Sequence, residues 1–260
     1  MTNSRLPKPK LITRPEQLKD TVATLAKAPV IAVDTESNSL YAYRERVCLI
    51  QFSTAEYDCL VDPIALDDLS SLAPIFADPG IQKIFHAAEY DLICLKRDFG
   101  FTFTIIFDTM LAARILGWQA IGLGALLGSE FGVHLNKKFQ RANWGQRPLP
   151  AKLLAYAQLD THYLIPLRDI LQKALMEAGR WELAQEDFAR TCQVEGKLPQ
   201  DHRDCWRING AYDLDPQQAA VLQELCRYRD QVARSRDRPV FKIINDQTLV
   251  AVAEASPEYE

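Results

Sequence analysis

Residues 30–37 read Val-Ile-Ala-Val-Asp-Thr-Glu-Ser, four apolar residues running straight into two acids. A short apolar run bounded by polar residues predicts a buried strand. Asp34 and Glu36 stand at its end, and side chains at i and i+2 of a strand project to the same face. Two acids side by side repel one another, so they are either solvated at a loop start or kept for their charge. Working outward, residues 47–53 (VCLIQFS) and Tyr57–Val61 follow like meander strands, and Gln82–Phe85 and Thr104–Phe107 supply two more. Helices are predicted over Leu66–Phe76, Glu89–Asp98 and Thr109–Leu116. Three strands followed by alternating helix and strand predict an α/β fold, a mixed five-stranded sheet with helices on its faces.

After Gly117 the pattern turns helical. Leu123–Phe131 predicts a short helix, Lys137–Pro150 a basic connector, and Ala151–Ile165 a longer helix that Pro166 kinks or ends before Leu167–Ala178. Gly179 opens a further helical stretch through Thr191. The polar segment Glu195–Asp204 reads as a linker, and Asp215-Pro216 as an N-cap with proline at the first helical position. No internal repeat is present.

Composition narrows the class. The 260 residues are 48% hydrophobic and 25% charged, which excludes a disordered or fibrous chain. No apolar run approaches the ~20 residues of a membrane-spanning helix, and the start lacks the apolar stretch of a secretory signal. Six scattered cysteines without a Cys-x-x-Cys pair predict reduced thiols in a cytoplasmic protein. The net charge of −4 hides segregation. Acids alone occupy Glu56–Asp78, whereas bases alone occupy Lys137–Lys152, and Arg227–Lys242 is also basic. Local basic strips let a weakly acidic protein bind a polyanion at one place.

Two further acids join the first pair. Asp91 follows the strand Gln82–Phe85 and falls in the first turn of the next helix, where a carboxylate also suits the helix dipole. Tyr156 and Asp160 are i and i+4 of one helix and point the same way. Asp34, Glu36, Asp91 and Asp160 would together supply four carboxylates, ionised at neutral pH only if cations neutralise them. All-oxygen ligands select Mg²⁺ or Mn²⁺. Two such ions about 4 Å apart clamp both oxygens of a phosphoryl displacement.

This combination resembles the DEDD superfamily of 3′-5′ exonucleases, which has a ribonuclease H-like fold. The matching motifs are Asp34-Thr35-Glu36, the segment around Asp91, and Tyr156-x-x-x-Asp160; the tyrosine places the chain in the tyrosine branch, since Ala155 stands where the other branch has histidine. Residues 47–53, Phe85–Leu92, Asn136-Lys137-x-x-Gln140, Trp144, Arg147-Pro148-Leu149 and Tyr156–Leu164 narrow the resemblance to ribonuclease D, over roughly residues 11–200. Trp206-Arg207, Leu214-x-Pro216 and residues 234–239 resemble the start of a helicase-and-ribonuclease-D C-terminal (HRDC) domain. That module continues through more helices in the family than precede Glu260 here, so the match is partial. The implied organisation is an exonuclease domain over 1–194, a linker over 195–210 and a small helical C-terminal segment over 211–260.

The resemblance implies a 3′-5′ exoribonuclease that uses two divalent ions and releases nucleoside 5′-monophosphates from RNA with a free 3′ end, transfer RNA precursors being the family's suggestion. Asp34, Glu36 and Asp160 would hold one ion, and Asp34 with Asp91 the other, while Tyr156 orients the attacking water. Lys137, Lys138, Gln140, Arg141 and Arg147 would contact backbone phosphates, which gives affinity without sequence choice. Trp144 is read as pinning the connector to the core, His86 as a hydrogen-bonded structural histidine, and Asp108 as a helix N-cap. A DNA exonuclease of Werner type and a nucleic-acid-binding module without catalysis are the alternatives. The oligomeric state is not fixed by sequence; a monomer is the expectation, away from any membrane.

Overall fold

A computed structural model describes residues 6–196 and 205–255, the side chain of Lys137 excepted. The elements in chain order are β1 (Lys10–Ile12), α1 (Pro15–Leu25), β2 (Val30–Ser37), β3 (Val47–Ser53), β4 (Asp58–Val61), α2 (Ala73–Ala77), β5 (Gln82–Phe85), α3 (Ala88–Phe99), β6 (Ile106–Asp108) and α4 (Thr109–Leu116). Then come the helices α5 (Leu123–Phe131), α6 (Ala151–His162), α7 (Leu164–Glu177), α8 (Trp181–Thr191), α9 (Pro216–Ser235) and α10 (Asp246–Ala255). Two compact units result. One holds the residues up to Ser37 and those from Val47 through α8; the other joins the Asn38–Arg46 connector to the residues from Cys205 onward. The connector lies within the stretch expected to be exonuclease domain, yet it groups with the C-terminal unit. Half of the expected linker, residues 197–204, lies outside the described residues.

The first unit is a six-stranded sheet in the order β1-β4-β3-β2-β5-β6. The sequence predicts five of these strands; β1 is the addition, three residues paired in parallel with Cys59–Val61 at one edge. β2, β5 and β6 run parallel, whereas β3 is antiparallel to both β2 and β4. All seven residues of β3 are buried, because helices cover both faces. On one face Phe52, Phe76, Phe85, Phe101 and Phe103 interlock with ring centroids 4.9–6.2 Å apart. Each such ring contributes about 1.5–3 kcal/mol by leaving water. On the other face Leu49 and Leu60 pack with Trp144, Leu153, Tyr156 and Ala157.

Local chemistry explains where the elements depart from expectation. The helix predicted over Leu66–Phe76 shrinks to a 3₁₀ turn at Ser70–Leu72 and the short α2. Asp68 accepts from both the backbone N–H and the hydroxyl of Ser70, a side-chain bond that competes with helix. α6 ends at His162 and α7 opens at Leu164 with Pro166 in its first turn, where a proline sacrifices no helical hydrogen bond. Asp108 caps α4 as predicted, accepting from the N–H groups of Met110 and Leu111 at 2.8 and 3.0 Å. It also accepts from Ala87 and Ala88 at 3.0 and 2.8 Å, which fixes the turn into α3. Ala87 needs that support, being left-handed at φ 62°.

In the second unit, α9 opens on a capping box in which Asp215 accepts from Gln217 and Gln218. Leu222, Leu249 and Ala253 form the apolar seam between α9 and α10, joined by Ile208 and Ala211. The connector is anchored here: Tyr43 donates its hydroxyl to Asp230 at 2.7 Å and its N–H to Asp237 at 3.1 Å. Lys242 Nζ lies 4.2 Å from the Tyr41 ring centroid, an added cation–π attraction. One expectation is corrected. Cys205 and Cys226 are joined in a disulfide with Cα atoms 6.3 Å apart, while the other four cysteines are buried. A separation of 21 residues carries no local spacing signal; the pairing arises only when α9 folds back beside Cys205. No described helix is long and apolar enough to cross a membrane.

Asp108→Ala leaves four N–H groups without their acceptor. It should lower stability by about 2 kcal/mol or more, read as a fall in the urea midpoint. An unchanged midpoint would show that the turn at Ala87 stands without it.

Candidate active site

β2 outruns its parallel neighbour. Only Val30–Ala32 pair with β5, and from Val33 onward β2 is paired with β3 alone. Asp34 and Glu36 therefore stand beyond the carboxyl end of β5, where open α/β sheets form ligand crevices. The register shifts between Glu36 and Ser37, a bulge that ends the regular ladder at the rim. Helix α6 lies across β2, β3 and β4 and carries Tyr156 and Asp160, each 6% exposed. One carboxylate oxygen from each of Asp34, Glu36 and Asp160 falls within 4.8 Å of the others. Asp91 joins them from the first turn of α3, its Oδ1 accepting a short hydrogen bond from the Thr35 hydroxyl.

The electrostatics follow from that crowding. Burial, then repulsion from Asp34, Asp160 and Asp91, pushes the Glu36 carboxyl up to about 10. Burial pushes Asp160 up to about 8, with Asp91 adding to the rise and a hydrogen bond from Tyr156 opposing it. Asp34 is raised well above the carboxylate range by burial and by Asp160. Asp91 is raised likewise by burial and by Asp34, against the bond from Thr35. The same acids, after burial itself, drive the Tyr156 phenol upward, so it is a hydrogen-bond donor at neutral pH. As a bare cluster these acids resist ionisation.

The cleft at these acids measures about 640 Å³, and Gly122–Ala125, Leu135 and Gln140 line it together with Asp34, Glu36, Tyr156 and Asp160. Among the described residues no lysine or arginine lines it. A buried acidic cluster with no basic counter-charge and an oxygen-only donor set matches hard divalent cations, which take carboxylate ligands. The residues present therefore fit divalent ions.

The other expected site residues are placed unevenly. Gln140 reaches the cleft and hydrogen-bonds Tyr156. Lys138 and Arg141 are exposed on the 3₁₀ turn Lys137–Arg141, and the Lys137 side chain lies outside the described residues. Arg147 is committed elsewhere. Its guanidinium grips Asp62 at 2.6 and 2.7 Å and the carbonyls of Cys48 and Trp144, so its donors hold the connector to the sheet. Trp144 is buried against Leu49 and Leu153, as expected of a pinning residue. His86 Nδ1 lies 2.9 Å from the Thr109 hydroxyl, and burial pushes the ring down to about 4. Its ring also faces the cleft. Two features lie outside the sequence reading: Thr35 as the tie to Asp91, and the Gly122–Ala125 wall.

Comparisons with known proteins agree with this architecture. Residues 9–176 match the family model described as 3′-5′ exonuclease, and residues 218–259 match the HRDC domain. The chain is 32% identical to the exosome complex exonuclease RRP6 of Saccharomyces cerevisiae over 93% of its own length and 35% of that protein's. It thus spans about a third of the length of the curated relatives it matches. Among solved structures, the catalytic core of RRP6 from Trypanosoma brucei superposes with a TM-score of 0.89 at 29% identity, covering 100% of this chain and 73% of that one. Escherichia coli RNase D, an exoribonuclease involved in structured RNA processing, gives 0.77 at 29% identity over 97% and 68%. The chain belongs to the 3′-5′ exonuclease family, in its ribonuclease D-like group with an HRDC domain following the exonuclease domain.

Proposed function

We propose that this chain is a 3′-5′ exoribonuclease that hydrolyses RNA from its 3′ end to nucleoside 5′-monophosphates with the help of two divalent ions. The observation that carries this reading is the convergence of Asp34, Glu36 and Asp160 within 4.8 Å, beside Asp91 and Tyr156. Asp34, Glu36 and Asp160 would hold one Mg²⁺ or Mn²⁺, and Asp34 with Asp91 the second. Such ions, when bound, activate water and neutralise charge on the departing oxygen. Tyr156, kept protonated and held by Gln140 and Asp160, orients the water for in-line attack; its role is positioning rather than general base. The water oxygen bonds to the last phosphorus and the P–O3′ bond breaks. The 3′ oxygen stays on the shortened strand, and the released nucleotide keeps its 5′-phosphate. Lys138 and Arg141, with Lys137 beside them in sequence, offer charge to the incoming backbone. RNA is favoured over DNA because E. coli RNase D acts on structured RNA and the yeast relative is an exosome exonuclease. Structured RNAs with a 3′ extension, transfer RNA precursors among them, are the proposed substrates.

Digestion of a 3′-overhanging RNA and a matched DNA, with Mg²⁺ or Mn²⁺ and with chelator, tests the reading. Mononucleotides should appear from RNA only with the ion. Bound RNA left intact under every condition would favour a binding module instead. Asp34→Asn should fold normally and lose about a thousandfold or more in rate, several kcal/mol of barrier. Tyr156→Phe should lose about tenfold to a hundredfold and keep RNA binding.

Removing charge at Lys138 by Lys138→Ala should weaken RNA binding and flatten its salt dependence by about one contact. An unchanged slope would leave the turn as a solvated surface.

The raised carboxyls set the pH dependence. Their folded state keeps protons that the unfolded chain has released, so metal-free stability falls as pH rises from about 4 through the Asp160 value near 8 toward the Glu36 value near 10. Between pH 7 and 8, above the titration of His86, the metal-free Tm should drop by a few degrees, about 1–3 kcal/mol, the early loss of the Lys83 proton near 8 offsetting part of the fall. Mg²⁺ or Mn²⁺ should raise Tm more at pH 8 than at pH 7. A flat metal-free profile would contradict the clustering.

A further inference from the structure

We infer that Gln51 is a positioning residue of this site, its buried side-chain amide holding the Asp34 carboxylate in the orientation that ion binding requires. Gln51 lies in β3 directly across from Asp34 of β2 and, on its other side, across from Leu60 of β4. Directly opposed residues of antiparallel strands project to the same face, with Cβ atoms about 4.5–5.5 Å apart. Asp34, Gln51 and Leu60 thus form one row across the sheet. The same-face neighbours on β3, Leu49 and Ser53, show what covers this row. Leu49 and Leu60 pack with Leu153, Tyr156 and Ala157 of α6, and Ser53 Oγ lies 2.7 Å from Thr161 Oγ1. Gln51 is therefore roofed by the turn of α6 between Tyr156 and Thr161, the turn that carries Asp160.

In that place the side chain is 0% exposed, and neither Nε2 nor Oε1 has a hydrogen-bond partner among the described residues. A buried amide group left without a partner costs about 1–3 kcal/mol, and ordering a glutamine costs up to about 2 kcal/mol in rotamer freedom. Leucine fills comparable space without either cost and is what β4 places next in the row. A donor retained at such expense beside Asp34 serves the carboxylate. In the metal-free structure that bond is not made; once cations occupy the cluster and the Asp34 carboxylate is ionised, Nε2–H donates to it, because a charged acceptor makes the stronger bond. Partners that orient a metal-binding side chain without touching the ion change affinity by about ten- to hundredfold.

The inference rests on the divalent-ion reading of the site, and two measurements separate them. Mn²⁺ binding to the full chain is titrated calorimetrically for wild type and Gln51→Leu, and Tm is recorded for both without metal. Gln51→Leu should bind Mn²⁺ about ten- to hundredfold more weakly, while its metal-free Tm stays level or rises. Equal Mn²⁺ affinity in the two proteins would overturn the role of Gln51 and leave the ion reading intact. Absence of Mn²⁺ binding by wild type would overturn both. Should Gln51→Leu not fold, Gln51→Met, unbranched and of the same length, takes its place in the same comparison.

Discussion

Four carboxylates that repel one another, held where water screens them poorly, are the constraint around which this fold is arranged. Isolated on a surface they would separate or simply stay solvated. Here β2, α3 and α6 fix three backbones from different parts of the chain, so the side chains cannot move apart. The cost is visible in the upward shift of every member of the group. In the bare chain retained protons relieve that repulsion, and on the proposed reading divalent ions would take their place. The rigidity of the frame is therefore part of the chemistry.

That frame depends on a few polar contacts as much as on the apolar core. Asp108 joins the starts of α3 and α4, and through α3 it governs where Asp91 stands. Arg147 ties the basic connector to Asp62 at the end of β4 and to Cys48 in β3. The connector in turn delivers Gln140 to Tyr156. The aromatic cluster of Phe139, Trp144 and Tyr156, with centroids 5.6 and 6.3 Å apart, locks the phenol against the sheet. These contacts are internal, which distinguishes them from groups left open to a substrate.

Much of this was legible in the sequence, because strand alternation and helical spacing are local. The acids at 34 and 36, and the pair 156 and 160, are placed by periods of two and four residues. Long-range contacts were less legible. Arg147 looks in sequence like any base in a basic strip, and its commitment to Asp62 appears only when residues 85 positions apart meet. β1 has no local signal because three residues carry no alternation, and its pairing with β4 is tertiary. The Cys205–Cys226 bond is likewise invisible to spacing. Gln51 sits in an otherwise apolar run, where only the cross-strand register reveals which residue faces it.

The Asn38–Arg46 connector bears on how this protein can be dissected. It leaves β2 two residues after Glu36 and returns at β3, yet it belongs to the unit built on α9 and α10. A truncation ahead of Cys205 would therefore not liberate an intact module. It would strip Tyr43 of Asp230 and Asp237 and leave the nine residues between β2 and β3 without those partners. Any minimal version of the nuclease core has to redesign that loop as well as choose a stopping point.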